Sequence, residues 1–286
     1  MATIANSATR LSEMREHERS GPVLWTAAYT LWVRELVRFY RQKSRVVGVI
    51  ASPLLFWVVI GSGFGDSFSS GAGAGHAAAG SSYLRFFFPG ALVMIVLFTS
   101  IFSMMSLIQD RNEGFLLSVL PSPVSRAAIV LGKVMGGTTL AAVQGLMFLV
   151  FAPLVGVHGS VAGITFAIAA TVLTAFALTS LGFAIAWKMD SPQAFHAIIN
   201  LFLLPLWLLS GALFPVASAS GWLRAIMLVN PLTYGMDALR TGLYPDARGM
   251  AQFGPGLSLV ILAAFAAVVF LAAMMAVAKR TQKPAA

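Results

Sequence analysis

Six long apolar runs alternate with short polar segments along the chain. They lie at residues 46–64, 86–108, 129–155, 161–186, 194–215 and 256–278. A helix needs about 20 predominantly apolar residues to cross about 30 Å of hydrocarbon, and each run has that character. The pattern predicts an all-α membrane protein with six transmembrane helices. Because the number of crossings is even, both termini are expected on the same side of the membrane.

Residues 22–45, before the first run, have the periodicity of an amphipathic helix. At 100° per residue, Arg34, Arg38 and Arg41 fall within about 60° of one another. The opposite side carries Trp25, Tyr29, Trp32, Leu36 and Phe39. Such a helix suits the lipid headgroup layer, with its rings at the acyl boundary and its guanidinium groups on phosphates. The alternative is a core-facing helix of a small soluble domain.

Residues 210–245, after the fifth run, contain apolar pieces that are too short to cross a bilayer. Prolines and glycines separate these pieces. Irregular backbone at membrane depth is tolerated where it is buried in protein or lines an aqueous cavity. The pattern predicts short re-entrant helices over residues 216–245, before the last span. A small cap outside the membrane is the alternative.

Composition supports a membrane protein, and the distribution of charge gives its orientation. Hydrophobic residues make up 58% of the chain and charged residues 10%. The net charge of +9 could suggest a nucleic-acid partner, but 15 of the 19 Lys and Arg residues lie on one side of the predicted spans. This is the positive-inside pattern. We therefore expect no nucleic-acid partner, a multi-pass protein of the cell inner membrane, and cytoplasmic tails at residues 1–21 and 281–286.

The predicted spans offer little chemistry of their own. They contain no acidic residue, whereas ion-coupled transporters usually place ionisable groups at membrane depth. Gln144, His196 and Asn200 are the main strongly polar exceptions, and hydrogen bonds between helices are favoured over substrate contacts for them. No metal-ligand set, catalytic triad or phosphate-binding loop is recognisable. Uphill transport by such a chain must draw its energy from another subunit.

The polar segment between the second and third spans predicts a docking element. In GFLLSVLPSPVSRAAIVLGK, residues 114–133, Phe115 and Leu116 begin an apolar face, and Pro121 and Pro123 end that short helix. A rigid elbow that is apolar on one side can fit a cleft on a soluble motor protein. A flexible loop could not transmit a push.

Three motifs occur in order along the chain. They are DRNEGFLLSVLPSPVSRAAIVLGK at 110–133, LLPLWLLSGALFPV at 203–216 and NPLTYGMDALR at 230–240. Together they resemble the type-2 exporter class of ABC transporter permeases, and most of all its daunorubicin-resistance-like drug and lipid export branch. The sequence departs from that pattern at Leu117 and Ser118, where many members carry a charged residue.

The resemblance implies a permease domain over residues 46–280 that exports an amphiphilic drug or lipid-like substrate. It implies two copies of a separate ABC ATPase, which hold ATP and Mg²⁺, and a second permease copy, identical or paralogous. This chain then has no catalytic residue, metal or cofactor of its own. A permease for lipid-linked polysaccharide, or a non-transporting membrane scaffold, are the alternatives.

The resemblance also assigns roles to residues. The coupling loop, 109–128, would contact the ATPase through Glu113, Gly114, Phe115, Leu116, Pro121, Pro123 and Arg126. The connecting helix, 22–45, would lie on membrane lipids beside the ATPase and use Trp25, Tyr29, Trp32, Arg34, Arg38 and Arg41. The outer gate would include Asn230, Pro231, Tyr234 and Arg240.

Overall fold

The computed structural model describes residues 24–63, 76–114, 126–157, 160–245 and 252–279, and these residues form helices and short connections with no β-strand among them. In chain order the helices are α1 (24–41), α2 (Lys43–Gly63), α3 (His76–Ser103), α4 (Met105–Asn112), α5 (Arg126–Leu149), α6 (Val161–Ala186), α7 (Pro192–Trp207), α8 (Gly221–Val229), α9 (Pro231–Leu243) and α10 (Pro255–Lys279). Short 3₁₀ turns at Ala152–Val155 and Val216–Ser218 and a π turn at Leu208–Ala212 complete the described elements.

The prediction of an all-α membrane protein is confirmed. Five helical stretches are long and apolar enough to cross a membrane: Tyr83–Asn112, Arg126–Leu149, Val161–Ala186, Pro192–Ala212 and Pro255–Ala278. The first predicted span corresponds to α2, in which the apolar helix Pro53–Gly63 is shorter than the other five. The second predicted span ends too early, because α3 continues into α4 and reaches Asn112. The extension brings Asp110, an acidic residue, onto that helix.

Helix α3 forms the centre of the bundle and contacts α2, α5 and α6. Its residues from Phe87 to Leu97 are almost completely shielded from solvent. Helices α2 and α7 and the last helix, α10, expose many large apolar side chains at the surface, as a helix facing lipid or a partner requires. We call the end of the bundle that carries α1 and α4 the proximal end, and the opposite end the distal end.

Two short helices, α8 and α9, connect α7 to α10. The chain leaves α7 through a kink at Gly211, which has φ +85°. Two glycines of α9 show how it lies against α6. A β-carbon on Gly235 would lie 3.0 Å from the side-chain oxygen of Thr174, which is half-way along α6. A β-carbon on Gly242 would meet Gly163, near the distal start of α6. Helix α9 therefore begins roughly 20 Å inside the bundle and runs outwards along α6. This packing favours the re-entrant arrangement over an external cap.

Candidate functional site

A group of charged residues is buried where α1, α4 and α5 meet at the proximal end. Lys133 of α5 is only 1% exposed and lies between two carboxylates. Its Nζ donates to Glu35 Oε1 of α1 at 2.5 Å and to Asp110 of α4. Ser106 Oγ, also on α4, donates to Glu35 Oε2 at 2.6 Å and accepts from Lys133 Nζ at 3.1 Å. These bonds link the three helices through one cation.

Two arginines of α1 complete the group. Arg34 binds both oxygens of Asp110 through its two terminal nitrogens, at 3.0 and 2.8 Å. Arg38 donates to Asp110 Oδ1 at 2.7 Å and to Gln109 Oε1 at 2.8 Å. Such bidentate, charge-assisted bonds are among the strong hydrogen bonds of proteins. We call Arg34, Glu35, Arg38, Asp110 and Lys133 the charge cluster.

Small residues allow the helices of the charge cluster to approach closely. A β-carbon on Gly132 would lie 2.7 Å from the Ala28 carbonyl oxygen, and one on Gly136 would lie 2.8 Å from Glu35 Cβ. Glycines four residues apart form one face of a helix, the arrangement that lets two helix backbones pack tightly in membranes. The approach of α1 to α5 thus depends on these two positions of α5.

The structure corrects the interpretation of α1 as a helix whose arginines bind lipid phosphates. Arg34 and Arg38 contact Asp110 instead, because the arginine side of α1 lies next to α4. Phe39, predicted on the exposed aromatic side, is 4% exposed. Trp25 and Tyr29 are 69% and 63% exposed, as a lipid-facing pair requires. Trp32 is partly buried and its Nε1 donates to Thr139 Oγ1 at 3.0 Å, whereas Arg41 is exposed.

The coupling loop begins and ends at the charge cluster. Helix α4 ends at Asn112, and Glu113, the next residue, is exposed and lies 3.9 Å from Arg38 Nη2. Gly114 follows with φ +78°, a conformation that favours glycine. Arg126 is the first residue of α5 and is partly buried. Phe115, Leu116, Pro121 and Pro123 lie outside the described residues. The loop is therefore flanked by the two helices that carry Asp110 and Lys133.

The predicted outer-gate residues hold α9 in place. Asn230 caps α9 by accepting from the backbone N–H of Leu232, and its Nδ2 donates to the Leu206 carbonyl at 2.6 Å. Pro231 occupies the first turn of α9, where its missing N–H costs nothing. The Tyr234 hydroxyl donates to the Leu228 carbonyl of α8 at 2.8 Å. These contacts join α7, α8 and α9.

Arg240 and Asp237 extend these links to the kink of α7 and to α10. Arg240 Nη2 donates to the Gly211 carbonyl at 2.7 Å, and its guanidinium lies 4.2 Å from the centre of the Phe86 ring. Asp237 Oδ2 accepts from Ser258 Oγ of α10 at 2.7 Å. No sequence pattern assigned a role to Asp237, nor to Glu35, Asp110 and Lys133 of the charge cluster.

An apolar groove of about 560 Å³ opens between α2, α3 and α7. The described residues that line it are all of apolar types and include Phe56 of α2, Phe98 and Phe102 of α3, and Leu204 and Trp207 of α7. The volume falls within the range of about 300–1,000 Å³ that is usual for ligand sites. The groove can therefore accept the apolar part of an amphiphile.

The three polar residues singled out within the spans have different surroundings. Gln144 accepts a hydrogen bond from Thr99 Oγ1 of α3, as predicted for a contact between helices. His196 and Asn200 are exposed on α7, and neither side chain has a hydrogen-bond partner among the described residues. The His196 ring packs 4.9 Å from that of Phe102. The prediction of interhelical hydrogen bonds is wrong for these two residues, because they face outwards from the helix contacts.

One signal in the sequence could have revealed the charge cluster. Lys133 lies inside a predicted apolar span, where an unpaired cation is too costly, so it required a carboxylate partner. Its two carboxylate partners, Glu35 and Asp110, lie outside the six apolar runs, and no local pattern of the sequence links them to Lys133. No group of three or more His, Cys, Asp or Glu side chains that could hold a metal occurs in the described part of the chain.

Comparison with known proteins identifies the family. Residues 26–244 match the sequence model of the ABC-2 type transporter, and the chain belongs to this family of transport permeases. It is 27% identical over 236 residues to a putative transport permease, ycf38, of Cyanophora paradoxa, covering 81% of this chain and 80% of that one. It is 24% identical over 220 residues to the daunorubicin resistance ABC transporter permease protein DrrB1 of Streptomyces coeruleorubidus, covering 76% and 74%. Nodulation protein J of Rhizobium meliloti is 24% identical over 249 residues, covering 86% and 88%.

The family match and the fold agree. The chain is a multi-pass membrane protein and an ABC transporter permease, as the three motifs predicted. Permeases of this family are transport subunits that work with an ABC ATPase subunit.

Proposed function

We propose that this chain is the membrane subunit of an ATP-driven exporter of amphiphilic, drug-like or lipid-like molecules. A separate ATPase subunit, present in two copies with its ATP and Mg²⁺, docks at the proximal end on the coupling loop and α1. Two permease copies, identical or paralogous, form the complex in the inner membrane, with the termini of each copy in the cytoplasm.

The charge cluster is the observation that carries this proposal. It joins both flanks of the coupling loop, α4 and α5, to α1. Removing one partner of a buried ion pair costs about 3–5 kcal/mol, so the three helices resist separation. A force applied to the coupling loop is therefore passed to the span Tyr83–Asn112 and to α5 together. A flexible attachment would absorb the same force.

The apolar groove supports the choice of cargo. Its described walls offer no charged group, so an apolar body gains by entering it and a free ion does not. The span Tyr83–Asn112, which the charge cluster connects to the coupling loop, also provides Phe98 and Phe102 to the groove. Movement of this helix therefore changes the shape of the groove.

Replacing Phe115 and Leu116 together by Asp tests the role of the coupling loop. Two charges on an apolar docking face cannot be buried without a large cost. We expect the variant to insert normally, to lose its ATPase partner on purification, and to leave ATP hydrolysis at the level of the isolated ATPase.

Leu154→Asp is the control, because it makes the same chemical change at an exposed residue beyond the far end of α5. It should retain the ATPase. Normal, cargo-stimulated ATP turnover in the Phe115 and Leu116 variant would contradict the docking role, and a chain that never copurifies with an ATPase would favour a scaffold.

A further inference from the structure

Helix α7 presents two polar side chains at the proximal end of the apolar groove. We infer, on the basis of the proposed function, that His196 and Asn200 bind the head of the cargo and that this head is uncharged or anionic, not cationic. The cargo is then an amphiphile with oxygen atoms in its head and a single apolar body, and not a lipophilic cation.

The positions of the two residues follow from the helix period. His196, Asn200 and Leu204 are spaced by four residues and therefore share one face of α7. Leu204 lines the groove, as does Phe102, whose ring contacts His196. Both polar side chains thus continue the groove towards the proximal end. Their exposure leaves their donors and acceptors available to a ligand.

The stretch of α7 from His196 to Trp207 has about the length of one leaflet of a bilayer. His196 and Trp207 are eleven residues apart on α7, which corresponds to roughly 16 Å along the axis. Half of a hydrocarbon core is about 15 Å. A head bound at His196 therefore places an acyl-sized chain along Leu204 and Trp207 without leaving the depth of the proximal leaflet.

The charges around this position disfavour a cationic head. The residues that line the described groove include no carboxylate. The acidic residue nearest in sequence on this side, Asp190, precedes α7 and is paired with Arg111 at 3.5 Å. A cationic head would therefore have no carboxylate as counter-ion, and only cation–π contacts with the aromatic side chains could compensate its partial dehydration. An imidazole and an amide can instead donate hydrogen bonds to phosphate, sulfate or sugar oxygens.

The test measures binding to the full chain in nanodiscs without ATP. The probes are three amphiphiles with one dibrominated dodecyl chain and a maltoside, a sulfate or a trimethylammonium head. Bromine quenches nearby tryptophan fluorescence, so quenching that is present in the wild type and lost in Trp207→Phe reports binding in the groove. We expect the maltoside and sulfate probes to bind at least tenfold more tightly than the trimethylammonium probe.

Variants of His196 separate charge from shape. His196→Asp should tighten binding of the trimethylammonium probe at least tenfold and weaken that of the sulfate probe. His196→Phe keeps a ring against Phe102 and should weaken the maltoside and sulfate probes severalfold, as should Asn200→Leu. Thr165→Val, an exposed polar position on α6 away from the groove, should change nothing.

Equal affinity for the three heads in the wild type would overturn the inference, and so would selectivity that His196→Asp does not alter. The inference would also be overturned if no probe bound and two copies of a Leu204→Cys variant formed a disulfide with each other. That result would show that a second copy of the chain fills the groove. Since no step uses ATP, these results are independent of the ATPase docking test, which addresses the proposed function.

Discussion

Lys133 is the residue on which the proximal end depends most. Among the described residues, Glu35 contacts no cation other than Lys133, whereas Asp110 also binds Arg34 and Arg38. Loss of Lys133 therefore leaves Glu35 buried with only the hydroxyl of Ser106 as a donor. Removing the charge of Glu35 at the same time should relieve much of that cost.

Replacement of Lys133 by Met should lower the free energy of unfolding by about 3–5 kcal/mol, since it leaves a buried carboxylate without its cation. Denaturant titration of the purified protein measures the change. Lys188→Met makes the same change at an exposed position and should stay within about 0.5 kcal/mol of the wild type.

A second substitution makes this test more specific. The double variant Glu35→Met with Lys133→Met should recover a large part of the lost stability, because apolar groups of similar volume can replace a buried ion pair. If Lys133→Met were as stable as Lys188→Met, the charge cluster would not hold the helices together.

At the level of elements, close contacts at glycines set the positions of α1 and α9. Gly132 and Gly136 bring α5 against α1, and Gly242 brings α9 against Gly163 of α6. At each of these glycines, an added β-carbon would meet backbone atoms of the neighbouring helix or the first atoms of one of its side chains. Neither α1 nor α9 could keep its present position with larger residues at these glycine positions, because the atoms that the new side chain would meet cannot rotate aside.

Gly132→Ala should displace α1, since the new β-carbon would lie 2.7 Å from the Ala28 carbonyl oxygen. We expect a loss of stability of about 1–3 kcal/mol, which is typical of overpacking, and faster hydrogen exchange of amides in residues 24–41. Gly221→Ala is the control, because a β-carbon there meets no atom within 4 Å. Equal exchange in the two variants would mean that this contact does not fix α1.

At the level of the whole molecule, the two ends of the bundle differ in chemistry. The proximal end is joined by ion pairs between α1, α4 and α5. The distal end is joined by neutral and charged hydrogen bonds from α9 to the kink of α7 and to α10. The groove connects the region of His196 with the kink. The proposed exporter would use this difference, with one end receiving the force and the other releasing the cargo.

Cysteine labelling tests the orientation of the two ends. The chain has no cysteine, so a single introduced thiol has no background. Ser218→Cys, at an exposed distal position, should react with an impermeant reagent added to intact cells. So should Ser70→Cys, in the segment between the first two predicted spans. Ser122→Cys in the coupling loop should react only after the cells are opened. The reverse pattern would overturn the orientation derived from the basic residues.

The sequence alone determined the class of the protein. Hydrophobic run length is a local property, and a run of about 20 apolar residues has few stable alternatives to a membrane helix. Prolines and glycines between 210 and 245 likewise limited that segment to short helices. The three motifs identified the family because each is a continuous stretch whose residues can be read in order.

Only the tertiary structure decided which faces of these helices meet. Periodicity placed Arg34 and Arg38 on one side of α1 but could not show whether lipid or protein lies there. Their partner, Asp110, is 76 and 72 residues away, and Lys133 is 98 residues from Glu35. Pairing over such distances leaves no trace in local hydrophobic patterns, because it depends on how helices separated by whole spans pack. For the same reason, the sequence favoured contacts between helices for His196 and Asn200, whereas the packing of α7 leaves both side chains exposed.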